Sequence, residues 1–129
     1  MITKRITYTD YLGQKRTEDF SFNISKAESA ELELSVDGGL SELLRRIIKA
    51  DDKYALIREF KKVLVLSYGV ISPDGRRFIK SKELTDSFIQ TEAYSKLFME
   101  LATDDKAAAE FVNGILASVN ENDKSTRQG

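Results

Sequence analysis

The chain has no cysteine, no histidine and one proline. Without the first two there are no disulfides, no thiol nucleophile, no imidazole base and no zinc site built on Cys or His. The redox compartment stays open. A long apolar run is missing too: the N-terminal stretch "MITKRITYTDYLGQKRTEDF" alternates polar with apolar residues, unlike a signal peptide or a membrane span, and reads as part of a soluble, intracellular protein. Nor is there an excess of either charge. With 20 basic and 21 acidic residues the net charge is -1, so nothing draws the whole molecule to nucleic acid or anionic lipid. No internal repeat of solenoid or propeller length is present.

What remains is enough for a core. At 129 residues the chain is expected to form one domain, of a size that buries roughly two-thirds of its unfolded surface. That domain is placed at residues 1–118. The end, 119–129, is expected to be a polar, disordered tail, because Asn120 to Gly129 offer no apolar residue with which to dock.

Hydrophobic periodicity divides the domain. Ile2, Ile6 and Tyr8, then Phe20, Phe22 and Ile24, fall on alternate positions around "DYLGQK", which predicts a β-hairpin from Ile2 to Ile24 with Gly13 at a positive φ. Ser25 and Glu28 form a Ser-x-x-Glu capping box ahead of a short helix to Leu34. Beyond Gly38 and Gly39, Leu40, Leu43, Leu44, Ile47 and Ile48 recur at helical spacing. Asp51 and Asp52 are N-caps for a strongly apolar helix over Lys53 to Tyr68 carrying Leu56, Phe60, Val63, Leu64 and Ser67. Helical stripes return at Leu84 and Phe88, at Tyr94, Leu97, Phe98 and Leu101 behind Thr91, and at Ala108, Phe111, Val112, Ile115 and Leu116 behind Asp104. Gly114 lies in the last stripe, where glycine either permits a close crossing or ends the helix. The predicted fold is α+β, mainly α, with the N-terminal hairpin packed on about five or six helices.

Candidate sites are sparse. "SYGVISPDGRRFIKS" lacks the glycines and lysine of a phosphate loop, while Pro73-Asp74-Gly75 matches turn chemistry, and Arg76 to Ser81 then reads as an extended arm. Arg45-Arg46, Lys61-Lys62 and Arg76-Arg77 are the case for a small nucleic-acid-binding regulator. Acids beside the first two pairs instead suggest solvated helix faces. The carboxylate pairs Glu31/Glu33, Asp51/Asp52 and Asp104/Asp105 have capping or non-facing geometry, and no constellation marks a catalytic, cofactor or metal site. Phe20, Phe22, Phe60, Phe98 and Phe111 are in phase with buried faces. Tyr11 at the hairpin tip, Tyr54 and Phe88 are not assigned.

As an ordered set, "ITYTDYLGQKRTEDFSFNISKAE", "ELSVDGGL", "SYGVISPDGRRFIKS", "QTEAYSKLFMELATD" and "AAAEFVNGIL" resemble the tail assembly chaperones of long-tailed bacteriophages and prophages of Gram-positive bacteria. The resemblance runs from Ile2 to Leu116. It implies a protein that is not an enzyme and has no cofactor, that binds the tape measure protein and promotes tail tube polymerisation around it. It further implies action in the host bacterial cytoplasm and absence from the mature virion. The tail tube protein and a second copy of the chain are further partners it allows; a membrane is not. Such a role asks for apolar grooves, for which the helices Lys53 to Tyr68 and Thr91 to Thr103 are candidates unless their faces are spent on the core. No partner-binding residue is assigned.

Overall fold

The computed structural model describes residues 1–35 and 53–115. The expected helix over Leu40 to Ile48, the caps Asp51 and Asp52, Leu116 and the polar end 119–129 lie outside the described residues.

Strands β1 (Ile2–Thr9) and β2 (Lys15–Phe22) form the hairpin, antiparallel with Ile2 opposite Phe22 and Thr9 opposite Lys15. Alternation separates its faces. Ile2, Ile6, Phe20 and Phe22 point to the core, while the outer face carries a polar ladder: Thr3 to Ser21 at 3.0 Å, Arg5 to Asp19 at 2.9 and 3.3 Å, and Thr7 to Thr17 at 2.9 Å. The tip is caged by one aspartate. Asp10 Oδ1 accepts the N–H groups of Leu12 and Gln14, both at 2.9 Å, and Oδ2 accepts Arg16 Nε at 2.6 Å. These bonds, the Arg16 one foremost, hold the Asp10 carboxyl below its usual range. Gly13 takes φ 84°, as its place in the turn requires.

Helix α1 (Lys26–Ser35) starts at the capping box: Ser25 Oγ accepts Glu28 N–H at 3.1 Å and Glu28 Oε1 accepts Ser25 N–H at 2.9 Å. The second Glu28 oxygen accepts Lys80 Nζ at 2.6 Å, and that ammonium also donates to Leu66 O at 2.8 Å. Partial burial opposes ionisation of Glu28, but the Lys80 and Ser25 bonds outweigh it and lower its pKa.

Helix α2 (Lys53–Ser67) runs without a loop into β3 (Tyr68–Ile71), which pairs with the two-residue β4 (Phe78–Ile79). Tyr68 is thus the first strand residue and not the last helical one. Ser67 ends the helix by donating its hydroxyl back to Val63 O at 2.7 Å, a bond that competes with helix propagation. Between the strands, Gly75 N–H donates to Ser72 O at 2.8 Å, Asp74 Oδ1 accepts Ser72 Oγ at 2.6 Å and Arg76 N–H at 3.1 Å, and Gly75 takes φ 75°. Pro73-Asp74-Gly75 is a turn. The expected arm at Arg76 to Ser81 is correspondingly short, because its partner comes from the end of α2. Through β3 it joins the hairpin: Ser21 lies opposite Gly69 and Phe22 opposite Tyr68, giving a four-stranded antiparallel sheet in the order β1-β2-β3-β4. The expectation of a lone hairpin is corrected to that extent.

Helices α3 (Lys82–Ile89), α4 (Glu92–Thr103) and α5 (Asp105–Ile115) follow, so five helices are present among the described residues. Each has a side-chain cap: Ser81 Oγ accepts Leu84 N–H at 3.0 Å, Thr91 Oγ1 accepts Tyr94 N–H at 3.2 Å, and Asp104 Oδ1 accepts the N–H groups of Lys106 and Ala107 at 3.1 Å. The core gathers Ile6, Phe22 and Ile24 from the hairpin region with Phe60, Val63, Leu64, Phe88, Leu97, Leu101, Phe111 and Ile115 from the helices.

Two glycines are set by close approach. At Gly114 a Cβ would stand 2.8 Å from Ile2 Cδ1, so the helix crosses the hairpin there and continues to Ile115. At Gly69 a Cβ would meet Phe78 Cε2 at 2.5 Å and the Ile79 carbonyl oxygen at 2.8 Å. The second contact is backbone of the paired strand, which cannot move without opening the ladder. Gly69→Ala is therefore expected to cost about 1–3 kcal/mol in urea unfolding. A loss under about 0.5 kcal/mol, the range of an ordinary surface substitution, would contradict this contact.

Candidate protein-binding surface

The two helices considered as groove walls spend their apolar stripes inward. Phe60, Val63 and Leu64 of α2 and Ala93, Leu97 and Leu101 of α4 are all buried in the core. Binding surface must come from elsewhere. Among the described residues the large apolar side chains still exposed include Tyr11 (74%) and Leu12 (84%) at the hairpin tip, Val65 and Leu66 on α2, Val70 and Ile71 on β3, and Met99 (56%) on α4.

One groove runs between β1 and α4. Glu92, Lys96 and Glu100 stand four residues apart and so share one stripe of α4. Each faces the hairpin: Glu92 lies near the Tyr11 phenol, Lys96 Nζ donates to Thr7 O, and Glu100 Oε1 lies 3.7 Å from Lys4 Nζ. The helix therefore lies along the outer edge of the sheet and occupies one of the strand carbonyls that β2 does not use. The Glu92 carboxylate raises the Tyr11 phenol above its ordinary pKa, and hydrogen bonding to Glu18 does the same for Tyr8. Beside this seam opens a groove of about 440 Å³, lined by Thr7, Tyr8 and Lys15 on one side and Glu92, Ser95, Lys96 and Met99 on the other. Ser95 and Met99, one turn apart, form its exposed helical rim.

This rim was visible in principle. Met99 falls outside the Tyr94, Leu97, Phe98, Leu101 stripe, and an apolar residue on the polar face of an amphipathic helix is the available signal.

The other singled-out residues do not converge. Lys61 and Lys62 are exposed on α2, and Arg76 and Arg77 are exposed beyond the Pro73-Asp74-Gly75 turn. Arg45-Arg46 lies outside the described residues. Asp104 is spent as a cap, Glu31 is exposed on α1, and the side chains of Glu33 and Asp105 lie outside the description. Among the described residues no group of three or more His, Cys, Asp or Glu side chains is placed to hold a metal ion, and no buried side-chain polar atom lacks a partner. No helix among them is long and apolar enough to cross a membrane.

A charged groove and displayed apolar side chains on an α+β scaffold make this a protein whose exposed chemistry suits holding another protein. The chain belongs to the phage tail assembly chaperone family, whose model matches residues 1–126. No curated protein and no solved structure is significantly similar to it.

Proposed function

We propose that this chaperone binds the tape measure protein of a long-tailed phage in the host cytoplasm and promotes polymerisation of the tail tube around it. It acts without catalysis and does not remain in the virion. The family match over residues 1–126 carries this reading. The groove beside α4 supports it: charges of both signs with Met99 on the rim suit an amphipathic helix, which needs apolar contact along one stripe and charge pairing at its margins.

The test is co-expression with the tape measure protein encoded in the same genome, followed by pull-down and sizing. The partner is expected to become soluble and to co-elute. Met99→Glu, on an exposed position, is expected to weaken capture tenfold or so, the scale of about 1.4 kcal/mol, with the melting temperature unchanged. A tape measure protein that stays insoluble with nothing bound would remove the tape measure reading. Capture by the variant equal to that by the parent would move the site away from the α4 rim.

A further inference from the structure

The sheet has an open edge that α4 does not cover. Strand β2 pairs with β1 along its whole length, but its ladder to β3 includes only Ser21 and Phe22. Residues Lys15 to Asp19 are all exposed. Their backbone direction follows from the ladder. Asp10 N–H donates to Gln14 O at 2.8 Å, so even-numbered pairs exchange bonds within the hairpin, and Asn23 N–H donates to Ser67 O at 2.8 Å, so odd-numbered groups of this strand face the β3 side. The N–H and C=O groups of Lys15, Thr17 and Asp19 therefore point outward from the open edge.

The sequence at that edge reads Lys15-Arg16-Thr17-Glu18-Asp19. The charges change sign across Thr17. Laid antiparallel against itself about Thr17, the strand puts Lys15 opposite Asp19 of the second copy and Arg16 opposite Glu18, with both threonines at the centre. The pairing keeps odd opposite odd, so the outward backbone groups of the two copies meet as bonded pairs. A parallel arrangement would set Lys15 against Lys15 and Asp19 against Asp19. Edge strands are commonly guarded by charge, yet a guard of one sign repels a copy and this one attracts it. The β1 edge offers no such match, since Lys4 and Arg5 are both basic and Lys96 already holds the Thr7 carbonyl.

We infer that β2 is a homodimer interface, in which two copies join antiparallel about Thr17 into a continuous β1-β2-β2-β1 sheet. The interface is isologous, as a twofold requires. The helical rim of Ser95 and Met99 lies outside this interface, while Lys15 belongs both to it and to the groove beside α4.

Sizing by light scattering of the full chain is expected to give a dimer that dissociates as salt rises. The double variants Lys15→Glu/Arg16→Glu and Glu18→Lys/Asp19→Lys are each expected to be monomeric, because each sets like charges opposite one another. Mixed in equal amounts they are expected to form a heterodimer. A parent chain that is monomeric throughout, variants that dimerise alone, or a mixture that does not associate would each overturn the proposal. Thr17→Cys gives an independent measure in a chain with no other thiol. Bonded antiparallel pairs have Cα atoms about 5.5 Å apart, within the span of a disulfide. Mild oxidation should cross-link most of Thr17→Cys and little of Thr7→Cys, whose side chain sits one strand away on β1. Equal cross-linking of the two, or none at Thr17→Cys, would also overturn it.

Discussion

Phe22→Asp leaves the chain unfolded or aggregated at room temperature. Phe22 is fully buried, with ring centroids 5.7 Å from Tyr68, 5.7 Å from Phe88 and 5.1 Å from Phe111. Losing a buried phenylalanine costs about 3–5 kcal/mol, and an unpaired carboxylate at the same place adds several more. The sum rivals the ~5–15 kcal/mol by which a folded domain exceeds its unfolded state. Thr3→Asp, on the outer face of the neighbouring strand, loses one exposed hydroxyl bond and is expected to cost less than about 1 kcal/mol. Far-ultraviolet circular dichroism and sizing separate the two. A cooperative melt of Phe22→Asp at the parent temperature would mean the hairpin presents its other face to the core.

Phe88→Ala folds but melts far below the parent. The Phe88 ring is stacked on Tyr68 at 4.3 Å and lies 5.1 Å from Phe20, 5.7 Å from Phe22 and 5.5 Å from Tyr94. It thereby joins α3 to the hairpin, to β3 and to α4. Truncation removes these contacts and leaves a cavity, for about 3–5 kcal/mol, which lowers the melting temperature by about 10–20 °C in a domain of this size. Phe88→Leu keeps most of the volume and is expected to lose under about 1.5 kcal/mol. A loss for Phe88→Ala no greater than for Phe88→Leu would place the ring outside the core. The near-ultraviolet signal should weaken in both, since Tyr68 and Tyr94 lose their aromatic neighbour.

Local chemistry made some of these features legible before any contact was known. The reciprocal bonds of Ser25 and Glu28, the caps Thr91 and Asp104, and the positive φ of Gly13 and Gly75 depend on residues close in sequence. Phe22, Phe60 and Phe111 were recognised by phase alone, because alternation and helical spacing decide which face a residue occupies. Phe88 was not assigned, because a two-turn helix with Leu84 and Phe88 gives too short a stripe to tell a hub from a rim. The strand Tyr68–Ile71 was missed for a different reason. "VLVLSYGVI" is a continuous apolar run that suits helix and strand equally, and only the pairing of Gly69 with Ser21 settles where one becomes the other. The groove beside α4 was also beyond reach, since its two sides are about ninety residues apart in the chain.

The sequence by itself determined the α+β character, the turns, the caps, the inward phase of the hairpin and the absence of thiol and imidazole chemistry, all of which follow from residue type and short-range spacing. The tertiary structure decided what long-range packing alone can decide. It joined β3 and β4 to the hairpin, spent the apolar faces of α2 and α4 on the core, and laid α4 along the edge of β1. It left β2 open from Lys15 to Asp19, the edge on which the proposed pairing of two copies rests.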